Sequence, residues 1–448
     1  MESRQQAAEL ILAYESRRER IDQLLDRWAE VPHLAERDER LVRQTVLTYV
    51  ARRRTVRFLL EKASGRQVRD IVPNLWAAVA VGAVQALFLE RIPAHAAVNE
   101  AVDVARRWVG AHAARFANAV LRKLVEAARK EEQPYEPRSD YIPVTLTNIL
   151  KLTSPWLPDF ASQRVQHLGI AFSQPDWLVS ELDATHDQKE LISILDSYNS
   201  EPPIFLSVNE ARTTPDALMS ELGPDKAERT PLETTLRLVR GGDLSRLTAI
   251  TEGLGFVQDI SQAKVARKVP VEKAGRIVDA CAAPGGKTLA ALSRSRGKAF
   301  VVSADVSAER LYELAQALDR CGFPARCLAA DARAFDRTFL EPFDVALADV
   351  PCSNTGVLRR RVDARWRVQP SDLTALTAWQ LDLAAGAGRI VKRGGLLIYT
   401  TCSVLSAENE GVVKELVRKE GWVLVAQELI LPGTDNGDGA FIAMLGKP

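Results

Sequence analysis

The chain has 448 residues, 46% hydrophobic and 26% charged, with 59 Lys+Arg against 58 Asp+Glu. This length accommodates about three domains of ~150 residues each, and the composition excludes a disordered or fibrous chain. Five cysteines without a close metal-type pair exclude a disulfide framework, and no stretch reaches the ~20 apolar residues of a membrane span, so a cytoplasmic protein without membrane contact is expected.

The near-zero net charge conceals an uneven distribution. Residues 1–140 hold 24 basic against 20 acidic residues, 141–270 hold 12 against 17, and 271–448 hold 23 against 21. No segment is a basic arm, so any contact with nucleic acid rests on local clusters.

Residues 1–130 read as all helix, rich in Ala, Leu, Arg and Glu with apolar residues at three- and four-residue spacing. Trp76 to Leu89 is almost wholly apolar and predicts a helix buried inside a bundle, while Gly65, Pro73 and Pro93 mark the breaks. Arg52, Arg53, Arg54 and Arg57 form a basic cluster, either a solvated face or, as favoured here, an RNA contact. The polar stretch Arg129 to Arg138, with Pro134 and Pro137, reads as a linker.

A small α/β domain is expected over 145–265, with strands at Ile204 to Val208 and Thr235 to Val239. From 266 to 448 strands and helices alternate, which predicts a doubly wound, mostly parallel sheet. Its strands are read at Ile277 to Ala280, Ala299 to Ala304, Ala325 to Ala329, Phe343 to Val350 and Leu396 to Thr400, closed by an antiparallel pair at Trp422 to Glu428 and Ala440 to Leu445.

The turn after the first of these strands is Asp279-Ala280-Cys281-Ala282-Ala283-Pro284-Gly285-Gly286-Lys287-Thr288, small residues where backbone must approach a ligand. A phosphate-binding loop would need glycine where Cys281 stands. Carboxylates then follow successive strands: Asp305, Asp331 and Asp349. The first suits a ribose diol and the second an exocyclic amine; with the loop, the three favour S-adenosyl-L-methionine over their ordinary role as turn or helix caps.

Cys352, in Asp349-Val350-Pro351-Cys352-Ser353-Asn354, and Cys402, in Thr400-Thr401-Cys402-Ser403, follow apolar strands and should meet at the rim beyond the strands' carboxyl ends. Carbon 5 of a pyrimidine becomes nucleophilic after a thiolate adds to carbon 6, and these two thiols are the ones placed for such covalent catalysis. Cys281 lies in the cofactor loop, and Cys321 and Cys327 are read as packing residues. Pro351-Cys352 lacks the second cysteine of a zinc deaminase. All five histidines lie at or before His186, which leaves the catalytic half without a triad, so no metal is expected. Arg359, Arg360, Arg361, Arg365 and Arg367, with Trp366 among them, are expected to contact RNA phosphates and bases.

Three stretches, Asp279 to Thr288, Ala348 to Gly356, and Tyr399 to Ser403 with Glu408-Asn409-Glu410, resemble the signature motifs of RNA 5-methylcytosine methyltransferases. Glu36-Arg37-Asp38, Arg52 to Arg54, Ala97 to Val102 and Phe116 to Arg122 resemble the NusB-like RNA-binding domain at the front of bacterial 16S rRNA methyltransferases. Gln174 to Val179, Ser207-Val208-Asn209 and Val257 to Ser261 resemble the domain that precedes the catalytic one, with Ser207 where that family often has Arg. The resemblance implies an all-α NusB-like domain (1–130), a small α/β domain (145–265) and a Rossmann-like methyltransferase domain (266–448). It further implies that Cys402 is the nucleophile, that Cys352 helps release the methylated base, and that Asp349 lies between cofactor and cytosine. Residues 281–287 with Asp305, Asp331 and Asp349 would hold S-adenosyl-L-methionine, and 16S rRNA would be the substrate of a monomeric enzyme. The alternatives are a catalytically silent RNA-binding or assembly factor that keeps the fold, and the same reaction on tRNA.

Overall fold

Residues 2–16, 19–30, 34–239 and 244–448 are described by the computed structural model. They form two units, Met1–Ser200 with Leu358–Arg367, and Glu201–Val357 with Val368–Pro448.

Over residues 2–127 of the first unit the helical spacing of the sequence is realised, among the described residues, in six α-helices, Glu2–Ser16, Ile21–Ala29, Glu36–Ser64, Pro73–Phe88, Ala94–Trp108 and Ala111–Ala127. Gly65 ends the third in the left-handed region (φ +68°), a conformation that costs glycine little. Pro73 and Pro93 sit at helix starts, where a missing N–H costs nothing. Every residue from Leu75 to Phe88 is buried, and each large aliphatic side chain so enclosed contributes about 1.5–3 kcal/mol. A Cβ on Gly82 would lie 2.7 Å from both Ala101 Cβ and Leu121 Cδ1, so this helix packs closer to its neighbours than any larger residue permits.

The basic cluster of the third helix is structural. Arg52 is buried, donates to the Pro143 and Val144 carbonyls at 2.9 and 2.7 Å, and lies over the Phe88 ring. Arg53 and Arg57 both pair with Glu15, and Arg54 with Asp176. These guanidiniums bind the unit together and leave the expected RNA contact without support.

The supposed linker also differs from expectation. β1 (Ala128–Glu132) pairs antiparallel with β3 (Asn148–Leu152), which pairs with β2 (Tyr141–Thr145). Only Ala128 of β1 is buried, and a charged edge strand with one wet face carries no apolar alternation to reveal it.

Leu358–Arg367 belongs to this unit and corrects the reading of its arginines as a phosphate-binding run. Arg365 is 1% exposed and donates to the carbonyls of Ala51, Ser173, Tyr198, Leu358 and Val362 and to Asn199 Oδ1. Trp366 Nε1 donates to Val50 O at 2.7 Å, beneath Arg53. Arg359 is buried as well, while Arg360, Arg361 and Arg367 remain at the surface, the second paired with Asp22 and the third with Asp363.

The second unit holds two sheets. The smaller is antiparallel, in the order β5 (Ala227–Arg229), β6 (Thr235–Leu238), β4 (Ile204–Val208), β7 (Gly255–Val257). The larger has seven strands: β8 (Arg276–Asp279), β9 (Phe300–Asp305), β10 (Cys327–Ala329), β11 (Phe343–Asp349), β12 (Val391–Thr401), β13 (Val423–Ile430) and β14 (Ala440–Gly446). Their order is β10-β9-β8-β11-β12-β14-β13; the strands are parallel from β10 to β12 and antiparallel in the last two, the mostly parallel sheet with a closing antiparallel pair that the sequence predicted. An apolar layer covers each face, one built around Leu289, Leu314 and Ile398 and the other around Phe335, Leu383 and Leu416. The chain leaves β8 toward β9 and later returns to β11 on its other side. Such a reversal opens a crevice beyond the strands' carboxyl ends.

Candidate active site

Buried parallel strands are continuous apolar runs, so the first polar side chains appear where the strands end. Register places those ends side by side: Asp279 opposite Ser303, Leu347 opposite Asp279, and Asp349 opposite Thr400. The rim therefore gathers Asp279, Asp305, Asp349 and the loops after β11 and β12, which carry Cys352 and Cys402.

The two thiols meet. Cys352 Sγ lies 3.0 Å from Cys402 Sγ, and both cysteines are free. Cys402 Sγ is also 3.4 Å from Asn354 Oδ1, while Asn354 Nδ2 donates to Cys352 O at 3.0 Å. Asn354 has φ +62°, a left-handed turn that asparagine tolerates better than most residues and that folds the Cys352 loop back. Gly356 N–H donates to Cys402 O at 2.8 Å, and a Cβ on Gly356 would fall 2.6 Å from that oxygen, so the loops approach only because this residue is glycine. The hydrogen bond with Cys402 raises the Cys352 thiol pKa well above its ordinary value, and burial adds to the effect. Cys352 is thus protonated at neutral pH.

Beside the thiols, Asp349 Oδ2 accepts from Lys287 Nζ at 2.7 Å and Oδ1 from Thr400 Oγ1 at 2.7 Å. Lys287 also reaches Gln262 Oε1 at 2.5 Å.

The small-residue loop links β8 to the helix Gly286–Arg294. Ala280 N–H donates to Leu347 O, Ala282 N–H to Ala304 O, and Ala283 N–H to Asp305 Oδ2 at 3.2 Å. Pro284 leads into Gly285, whose φ of +109° and close contact with Leu314 exclude a side chain. Gly286 begins the helix, and its carbonyl accepts from Gln258 Nε2 at 2.9 Å. Gln258 in turn accepts from Ser207 Oγ at 2.8 Å, so Ser207 steadies the start of this helix from the neighbouring sheet. Burial, followed by the surrounding carboxylates, pushes the Cys281 thiol up, which leaves it inert.

Asp305 is buried and oriented by the N–H groups of Ala283 and Ser307. Asp331 lies further out, its carboxyl held below the usual range chiefly by hydrogen bonds from Arg333. Burial pushes Asp279 up to about 7, with the Asp349 charge adding to it; Thr288 Oγ1 donates to its Oδ2, and Oδ1 has no hydrogen-bond partner among the described residues. Cys321 is buried and Cys327 partly buried, both away from the thiol pair in the packing of the sheet.

Several polar residues at this rim were not singled out by sequence reasoning. Gln258, Gln262, Thr288, Gln380, Thr400 and Glu408 act by pairing with side chains distant in the chain. Gln258, Thr288, Thr400 and Glu408 fall within motifs that carried the family resemblance, and no other signal marked them.

The family model described as 16S rRNA methyltransferase RsmB/F matches residues 268–446, that of the NusB family matches 1–126, and that of the RsmF/B-like ferredoxin-like domain matches 174–244. A Synechocystis sp. protein named "Probable ribosomal RNA small subunit methyltransferase B" is 31% identical, with all of both chains covered. The ribosomal RNA small subunit methyltransferase B of Pasteurella multocida is 32% identical, over 82% of this chain and 79% of the relative. Among solved structures, that of PH0851 matches the fold with a TM-score of 0.74 at 22% identity, covering 99% of this chain and 98% of the other. A methyltransferase homolog from Pyrococcus horikoshii matches with 0.56 at 20% identity, over 64% of this chain and 99% of its own.

Proposed function

The chain belongs to the ribosomal RNA small subunit methyltransferase B family, and from that premise we propose that it methylates carbon 5 of a cytosine in 16S rRNA through a covalent bond between Cys402 and the base. It is an rRNA methyltransferase with a NusB-like front, a ferredoxin-like middle and a Rossmann-like catalytic domain. The site, the cofactor and the cytosine chemistry are the parts proposed.

The residues at the rim fit S-adenosyl-L-methionine. Asp305 carries a buried carboxylate whose oxygens each accept one backbone N–H and keep a lone pair for a ribose hydroxyl. Asp279 Oδ1 is a buried acceptor without a hydrogen-bond partner among the described residues, and the loop Cys281, Ala282, Ala283, Pro284, Gly285, Gly286 and Lys287 brings backbone to the same place. Asp331 and Asp349 complete the proposed set. When bound, this cofactor supplies an electrophilic methyl group.

The observation that carries the reading is the 3.0 Å approach of Cys352 and Cys402 beside Asp349. Cys402 would add to carbon 6 as its thiolate, with the Cys352 sulfur 3.0 Å away as its hydrogen-bonding neighbour. Once the Sγ–C6 bond forms, Cys402 is a thioether and the bond that raised Cys352 most is lost. The Cys352 thiol then ionises more readily. Its thiolate is suited to take the proton from carbon 5, and that electron pair restores the C5–C6 double bond as the Sγ–C6 bond breaks. Asp349, held by Lys287 and Thr400, would accept from the exocyclic amine of the base. Incubating the protein with methyl-labelled cofactor and unmodified 16S rRNA, then mapping the label, tests the proposal. Label on carbon 5 of a cytosine is expected; label on another atom, or none, rejects it.

A further inference from the structure

Behind the thiols lies one fully buried carboxylate. Glu408 Oε1 accepts from Ser353 N–H at 2.8 Å and Gln380 Nε2 at 2.8 Å, and Oε2 accepts from the hydroxyls of Ser353 and Ser403, each at 2.5 Å. Ser353 follows Cys352, and Ser403 follows Cys402. Thr355 Oγ1, 3.0 Å from both Ser353 Oγ and Ser403 Oγ, closes a ring of hydroxyls between the two loops, and Thr355 also accepts from Val404 N–H at 3.2 Å. The Glu408 backbone is fixed by Tyr399 OH, which donates to its carbonyl at 2.6 Å. Its neighbour Asn409 accepts from Thr401 Oγ1 at 2.6 Å and donates to Ser403 O at 3.0 Å.

The loops come from different strands and also meet where Gly356 N–H donates to Cys402 O and where Asn354 Oδ1 nears Cys402 Sγ; Glu408 adds the carboxyl group that bonds the residue after each cysteine. A loop alone does not hold a side chain to a fraction of an ångström, whereas a buried, charge-assisted network does. Glu408 meets four donors, two at each carboxyl oxygen. We infer that Glu408 is the positioning residue of the reaction: it touches neither base nor cofactor, and it sets the separation of the Cys352 and Cys402 sulfurs by bonding the residue after each.

This inference rests on the reading that these thiols carry the reaction, yet its main test needs neither RNA nor cofactor. The full chain, with the other three cysteines replaced by serine, is treated with diamide, which takes up the two thiol hydrogens as the disulfide forms, and the rate of intramolecular pairing is followed by mass. Glu408→Leu fills the same space without acceptors and should slow pairing about tenfold, and should lower kcat for methyl transfer about a hundredfold with the KM for RNA within about twofold, as expected when reacting groups are misplaced by about 1 Å. Glu408→Gln should restore pairing to within about threefold, because its carbonyl can accept the two N–H groups while the serine hydroxyls turn to accept from its amide. A general loss of structure would raise KM, and glutamine would not rescue it selectively. If Glu408→Leu does not fold, Ser353→Ala and Ser403→Ala each remove one donor and should slow pairing about threefold. Pairing at the wild-type rate in Glu408→Leu, or in both serine variants, overturns the inference. Slowed pairing in a protein that never methylates RNA would uphold Glu408 and reject the proposed function instead.

Discussion

Lys287 Nζ and Asp349 Oδ2 pair at 2.7 Å across the rim, joining the start of the helix after β8 to the end of β11. The lysine side chain is only 8% exposed, so removing its partner leaves a poorly hydrated ammonium. In a double-mutant cycle, Lys287→Met should therefore destabilise the protein by about 1 kcal/mol more with Asp349 present than in Asp349→Asn. Additive effects in urea unfolding would mean that the pair is held in place by its surroundings and contributes nothing.

Asp305→Ala removes a buried acceptor from the proposed ribose site and frees the Ala283 and Ser307 N–H groups. Cofactor affinity should fall by about tenfold to a hundredfold, the loss of a hydrogen bond to a charged group at about 1.5–3 kcal/mol. Calorimetry with S-adenosyl-L-methionine measures it, and unchanged affinity would move the site.

Asp279 gives a pH dependence whose sign is fixed. Its folded pKa of about 7 lies above the ordinary 3.8, so between those values the folded protein holds a proton that the unfolded chain has released. Its stabilising contribution is complete below about pH 4 and is lost as pH rises through about 7. Asp279→Asn has no such proton to lose. Relative to the wild type, the variant should gain about 3 kcal/mol between about pH 5 and about pH 8, measured by urea unfolding; a constant difference would place the carboxyl in the ordinary range.

Arg365 satisfies a group of buried carbonyls that no apolar side chain can serve. Arg365→Met should cost about 3 kcal/mol of stability, whereas Lys123→Ala at an exposed helix position should stay within about 0.5 kcal/mol. Equal effects in thermal unfolding would show that burial of Arg365 has no energetic consequence.

The centre of the catalytic sheet was legible because β8, β9, β11 and β12 from Leu396 onward are largely buried and read as apolar runs, whereas the edge strand β10 is partly exposed. The meeting of Cys352 and Cys402 followed from the same logic, since both lie one step beyond such runs. Arg52 and Arg365 were misread because burial of an arginine depends on carbonyls brought by other elements, Val144 and Tyr198 among them, and local sequence carries no sign of that. Strand β1 escaped because a charged edge strand resembles a linker. Glu408 stood in a quoted motif, but its role depends on Ser353, 55 residues away.

The proposal stands or falls on which thiol bonds to RNA. With 16S rRNA and cofactor present, Cys402→Ala should form no denaturation-resistant adduct, because the bond to carbon 6 cannot form. Cys352→Ala should accumulate an adduct, seen as a shifted band on a denaturing gel, because blocking the second half-reaction traps the intermediate of the first. An adduct from Cys402→Ala and none from Cys352→Ala would contradict the assignment.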